Sequence, residues 1–298
     1  MHDRFVHVPA ARLRGLVDVC DDIPFAWREL LNVSSDVCPE CLRGKTHKQG
    51  SSAHVPVCTE PGQIVSYDLW KYHIASVCGG YIYFFGAVDN YTSFGFLVAL
   101  KYKSEAPRAL GEVLRQSRAA GVDIKRFHTD NENVLHSKDG HQATVSVECP
   151  QGVLVTTGCE YHSRQNAIIE RFWRTINDAA RPGFSASPCG EAFYMYALID
   201  ACSKLNVMPY GDGSPGSPFS AFHGTPGRAA PYRVWGCLAY VHLEHTLNAS
   251  NQKLKKSDAR CVPGILLCYG HTGGLRDRCR PGWSVYVPRY GRDQPITS

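Results

Sequence analysis

The sequence predicts an α/β protein built on a mixed sheet with flanking helices, and three observations predict it. Between residues 62 and 206, runs rich in aromatic and β-branched residues alternate with amphipathic runs of helical period. Turn signals such as Gly79-Gly80, Asp89-Asn90 and Gly121 separate them. The composition, 44% hydrophobic and 20% charged over 298 residues, is globular and supports sizeable cores.

Residues 1–50 carry His and Cys, with helix-like runs around Ala10–Val19 and Phe25–Leu31. Gly50-Ser51-Ser52-Ala53 and Pro61-Gly62 read as a linker. Strands are expected at Ile64–Leu69, Tyr81–Val88 and Phe94–Leu100, followed by a helix over Ser104–Ala120. On that helix Leu110, Val113 and Leu114 share a face, while Arg115 and Arg118 point elsewhere. A strand then leads to Asp130, and Val153–Thr156 is another. Helices follow at Gln165–Ala180, stopped by Pro182-Gly183, and at Glu191–Asn206. This order is that of a ribonuclease-H-like five-stranded sheet, in which the first and fourth strands lie side by side. Beyond 207, Gly and Pro cluster, and strands at Val234–Leu243, Val262–Tyr269 and Trp283–Pro288 suggest a small β-barrel tail. Trp235, Tyr240, Tyr269 and Trp283 are expected in its core.

The net charge of +5 is weakly basic, compatible with a nucleic-acid partner without being diagnostic. No apolar run is long enough to span a bilayer and nothing resembles a signal peptide, so a soluble intracellular protein is expected. Thirteen Cys, an odd number, are scattered through the chain. Most are expected to be thiols packed as small hydrophobes, with at most one or two pairs on metal.

Three acids stand out. Asp68 ends the first strand, Asp130 ends the fourth, and Glu170 sits inside a helical run. Such acids, if they converge, suit a two-metal phosphoryl-transfer site, since Mg²⁺ prefers hard oxygen ligands. Asn166 and Arg174 share the helix face of Glu170, and Arg171 adds positive charge for phosphates. An Asp after a strand is more often a turn residue, as Asp89 is before Asn90, and a Glu on a helix more often a solvated one. Lys253, Lys255 and Lys256 lie in a basic loop suited to a DNA backbone or to plain solvation.

His2, His7, Cys38 and Cys41 give His-x4-His and Cys-x2-Cys, a ligand set for a closed, tetrahedral, structural Zn²⁺. Cys20 and His47 are alternative ligands, and His2 stands beside the first Met.

The context of the acids resembles the integrase of copia-type long-terminal-repeat retrotransposons over nearly the whole chain. Tyr67-Asp68-Leu69-Trp70, Thr129-Asp130-Asn131 and Gln165-Asn166-Ala167-Ile168-Ile169-Glu170-Arg171 are similar to the three catalytic motifs. Val88-Asp89-Asn90-Tyr91-Thr92-Ser93 is similar to a structural motif, and Arg233–Val241 to a segment after the core. The resemblance implies a DDE-type polynucleotidyl transferase that processes DNA ends and joins them to target DNA. It also implies two Mg²⁺ or Mn²⁺ ions on Asp68, Asp130 and Glu170, double-stranded DNA as partner, self-association and action in the nucleus. The implied parts are a zinc module (1–50), a catalytic core (60–207) and a β-rich C-terminal domain (230–290), with the chain a fragment of a longer polyprotein. The pattern departs from the family after Asn131, where Glu132-Asn133-Val134-Leu135 replaces Gly-Gly-Glu-Phe, and at Ala167, where Gly is usual. That departure keeps a second reading open, a catalytically inactive nucleic-acid-binding remnant of the same fold. A zinc-dependent interaction module is a third.

Overall fold

Five short runs of aromatic and β-branched residues become one mixed sheet. The computed structural model describes residues 4–24, 38–44, 58–129, 153–157, 167–187, 189–242, 261–270, 282–287 and 296–297. Strands β1 (Val65–Lys71), β2 (Tyr83–Asp89), β3 (Gly95–Leu100), β4 (Arg126–Thr129) and β5 (Leu154–Thr157) lie in the order β3-β2-β1-β4-β5. The first three form an antiparallel meander, whereas β4 runs parallel to both β1 and β5. This mixed sheet with its helices fits the ribonuclease-H-like fold, with the first and fourth strands adjacent as expected.

The helices are α1 (Ala10–Arg14), α2 (Leu16–Val19), α3 (Pro39–Gly44), α4 (Ala106–Ala119), α5 (Ala167–Ala186), α6 (Tyr194–Val207) and α7 (Pro218–His223). Side chains alternate across a strand, so residue parity sorts the sheet into two faces. Val65 and Tyr67 of β1, Phe85 and Ala87 of β2, and Phe96, Val98 and Leu100 of β3 pack with Leu110, Val113 and Leu114 of α4. The opposite parity, Trp70, Phe84, Leu97 and Ala99, packs with α5 and α6. Asp68 and Gly86 have this second parity, so they face α5.

The N-terminal segment joins the second layer. Phe5, Val8, Leu13 and Leu16 share a cluster with Ile176, Leu198, Tyr232 and Trp235. Edge strand β3 is closed by a side chain: Asn206 accepts from the Gly95 N–H and donates to its carbonyl, both at 2.8 Å. The amide thereby supplies the two bonds a further strand would make. Asp89 is a structural knot rather than a site residue. Fully buried, it accepts from the N–H of Gly62 at 2.9 Å, the N–H of Thr92 at 2.8 Å and the Thr92 hydroxyl at 2.7 Å. Burial still holds its carboxyl above the usual range, with those donors pulling the other way.

The structure departs from these expectations in several places. Helix α5 does not stop before Pro182 but runs through it to Ala186. Tertiary packing outweighs the lost backbone bond: Pro182 is buried, its ring contacts Gly44, and Phe184 packs on Tyr194 and Trp235. Helix α7 was not expected, although its signals were present. Ser217 caps it, accepting from the Ser220 N–H, Pro218 occupies the first turn, and Gly224 ends it at φ +68°. The C-terminal strand expected at Val234–Leu243 begins only at Leu238, because Gly236 turns the chain at φ +73°.

That strand, β6 (Leu238–His242), starts a second antiparallel sheet with β7 (Cys261–Gly270), β8 (Gly282–Tyr286) and β9 (Ile296–Thr297), in chain order. Among the described residues no pairing closes β9 onto β6. Nor do the expected aromatics all share one core: Trp235 packs with Phe184 beneath α5, Tyr269 packs on Tyr232, Tyr240 is 65% exposed, and the Trp283 side chain lies outside the described residues. Among the described residues no helix is long and apolar enough to cross a membrane. No described cysteine is in a disulfide. Burial pushes the Cys20, Cys202 and Cys268 thiols up to about 12, as packed hydrophobes rather than nucleophiles.

Candidate functional site

Asp68 does not end the first strand, as expected, because β1 runs on to Lys71; it projects from the middle of β1 onto the face covered by α5, and its carboxylate is held at both oxygens. Oδ1 accepts from the N–H of Leu69 at 2.7 Å, and Oδ2 accepts from the indole N–H of Trp173 at 3.1 Å. Trp173 lies on α5 three residues after Glu170, close to one helical turn. Glu170 occupies the first turn of α5 and is exposed. The indole therefore ties the strand acid to the helix that carries the second acid.

A glycine makes room for this contact. Gly86 is the register partner of Asp68 on β2, and a Cβ there would stand 2.4 Å from Cζ2 of Trp173. Gly95 does the same for Phe172, which a Cβ would meet at 2.4 Å. The helix thus sits against bare backbone, closer than side chains would allow. Trp70 and Phe84 complete the aromatic bed, with ring centroids 5.7 Å and 6.4 Å from that of Trp173. Gly86→Ala is accordingly expected to cost about 1–3 kcal/mol through overpacking. A melting temperature equal to that of the parent would show that α5 does not need the close approach.

Asp130 and Asn166 lie outside the described residues, as do His2 and Lys253, Lys255 and Lys256. Strand β4 ends at Thr129, one residue before Asp130, and His128 pairs with Ser66, two residues before Asp68. Arg171 and Arg174 are described and exposed on α5, so the helix shows solvent a basic surface beside Glu170. The inference from sequence missed Trp173 and Gly86. Their signals were legible: an aromatic three residues from a candidate acid on a helix, and a glycine inside an apolar strand.

A second cluster forms where the N-terminal segment meets α3. His7 Nδ1 lies 3.3 Å from Cys38 Sγ, and the ligand atoms of His7, Cys38 and Cys41 all lie within 4.8 Å of one another. Around one tetrahedral zinc, with bonds of about 2.0–2.3 Å, ligand atoms stand roughly 3.3–3.8 Å apart. The cluster therefore has dimensions that can hold one metal ion. His7 is buried and follows Val6 in a rare pair of left-handed non-glycine residues, at φ +56° and +48°. Strain of this kind gathers at binding sites, where the surroundings over-determine the backbone. Helix α3 docks on α5: Arg181 donates to the Gly44 carbonyl at 3.0 Å, and a Cβ on Gly44 would stand 3.2 Å from the Pro182 ring.

No protein-family model matches the chain. Two retrovirus-related Pol polyproteins of Arabidopsis thaliana do, those of transposons RE2 and RE1, at 24% and 26% identity over 227 residues. The match covers 76% of this chain but 15% of either relative, so the chain spans a small part of their length. Among solved structures, the HTLV-2 integrase catalytic core domain in complex with magnesium is 17% identical with a TM-score of 0.42. It covers 55% of this chain and 98% of that domain. The BIV integrase catalytic core domain is 16% identical with a TM-score of 0.40, over 54% of this chain and 93% of that one. The simian T-cell lymphotropic virus intasome with the PP2A subunit B56 gamma aligns over 94% and 96%, at 15% identity and 0.47. The chain is thus similar in sequence to part of the retrovirus-related Pol polyproteins of these two transposons, in keeping with the resemblance its motifs carry.

Proposed function

We infer that this chain is an integrase that processes DNA ends and transfers them to target DNA, with Asp68, Asp130 and Glu170 as its acidic triad. One observation supports it most: Asp68 stands on the sheet face beneath the helix whose first turn carries Glu170, with one indole joining the two elements. Exposed Arg171 and Arg174 add charge that suits a DNA backbone.

Mg²⁺ or Mn²⁺ fits this donor set, because hard cations take carboxylate oxygens. Bound there, two such ions would supply charge stabilisation for in-line displacement at phosphorus. The chain's own part is positioning. The sheet fixes Asp68, α5 fixes Glu170, and the basic face of α5 meets phosphates. Joining two DNA ends at one target calls for more than one copy of the chain, so self-association belongs to this reading. So do the three-part division at 1–50, 60–207 and 230–290 and action in the nucleus.

Titrating Mn²⁺ against the purified protein with a labelled DNA-end substrate tests the assignment. Metal-dependent processing and joining are expected. Tight DNA binding with no joining at any metal concentration would instead identify the inactive remnant that residues 132–135 suggest.

The His7, Cys38 and Cys41 cluster is read as a structural zinc site, with His2 as its fourth ligand. Free zinc at 100 times its dissociation constant would stabilise the fold by about 2.7 kcal/mol through linkage. A chelator, or Cys38→Ser, is therefore expected to lower the melting temperature by several degrees. Equal melting curves with and without chelator would remove zinc from the reading. If Glu170→Gln kept all function while chelation abolished it, the chain would be a zinc-dependent interaction module.

A further inference from the structure

We propose that Trp173 is a positioning residue for the Asp68 carboxylate, setting its orientation for a divalent cation. The proposal rests on the integrase reading above and adds to it a residue outside the acidic triad.

The geometry carries it. The indole N–H reaches Asp68 Oδ2 at 3.1 Å, while the backbone N–H of Leu69 takes Oδ1 at 2.7 Å. A donor at each oxygen fixes the plane of the carboxylate. An indole is donor-only and cannot compete for a cation, so it orients the acid without becoming a ligand.

The surroundings are arranged for that contact. Gly86, level with Asp68 on β2, removes the one side chain that would hold the indole off the sheet. Trp70, Phe84 and Phe172 flank the ring and restrict it. Because Trp173 follows Glu170 on α5, its bond to Asp68 also fixes where the first turn of that helix stands relative to β1. Groups that hydrogen-bond metal ligands typically contribute about 10–100-fold to metal affinity or activity.

The test uses zinc-loaded full chain and two replacements. Trp173→Phe keeps an aromatic ring and loses the N–H. Incorporation of 3-benzothienylalanine at position 173 keeps the shape of indole with sulfur in place of the N–H. Mn²⁺ affinity is read from the spin-resonance signal of free Mn²⁺, beside melting temperature and joining kinetics. With the isostere, Mn²⁺ affinity is expected to fall about 10–100-fold. The melting temperature should hold, and high Mn²⁺ should restore the joining rate. Trp173→Phe should match it in metal affinity. Parental Mn²⁺ affinity in the isostere overturns the proposal while leaving the triad intact. Asp68→Asn with parental Mn²⁺ affinity overturns the integrase reading itself, as does a parent chain that binds no Mn²⁺, and either takes the proposal with it.

Discussion

Asp68→Asn is expected to abolish DNA joining while the protein stays folded. The amide oxygen of Asn still accepts from the N–H of Leu69 or the indole N–H of Trp173, and the packing of Trp173 on Trp70 and Phe84 keeps α5 seated on the sheet. What is lost is the negative charge that a cation needs. Even residues that only support metal ligands cost about 10–100-fold when removed, so a direct ligand should cost more than about 100-fold. Asp130→Asn and Glu170→Gln should behave alike. The measurement is strand transfer of a labelled DNA end in Mn²⁺, beside a melting curve for each variant. Joining at the parental rate by any of the three would remove that acid from the triad.

The largest effect on stability is expected at a pair that touches no candidate site. Lys204 and Asp200, one turn apart on α6, are 1% and 2% exposed, with Nζ 2.5 Å from Oδ2. Lys204 also donates to the carbonyl of Arg233 at 2.8 Å, tying α6 to the segment that leads into the C-terminal sheet. Removing the lysine strands a buried carboxylate, which typically costs about 3–5 kcal/mol. Lys204→Ala should therefore unfold at markedly lower temperature. Replacing both, Asp200→Leu with Lys204→Met, should recover most of that loss, since apolar substitutes for a buried pair are often neutral. Burial already holds the Asp200 carboxyl above the usual range and Lys204 pulls it back down. In Lys204→Ala the native state would hold that proton more tightly than the unfolded chain. The variant should then lose stability as pH rises above the ordinary carboxylate range. A double variant no more stable than the single one would show that packing around α6, not charge, sets the cost.

Much of the core was legible because its elements are strongly patterned. The aromatic and β-branched runs of β1 to β3 alternate, and Leu110, Val113 and Leu114 mark the buried face of α4. Asp89 and its turn, and the Cys-x2-Cys knuckle, follow from local spacing alone. What escaped local reading depended on distant partners. Pro182 stays within α5 because Gly44 and the Phe184 contacts hold that turn in place. Tyr240 carries the same apolar signature as Tyr269, yet one is exposed and the other packs on Tyr232.

The sequence by itself determined the chemistry on offer: three acids in motifs that resemble those of an integrase, a set of His and Cys at ligand spacing, and a basic helix beside Glu170. Only the tertiary structure decided that Asp68 meets the indole of Trp173 and that His7 comes to Cys38 and Cys41. The physical reason is distance along the chain. Strand parity and helix period are set within a few residues, whereas Asp68 and Trp173 stand 105 residues apart and His7 and Cys38 stand 31 apart. Contacts of that span form when apolar faces bury against each other, and a bare glycine on β2 lets one of them close.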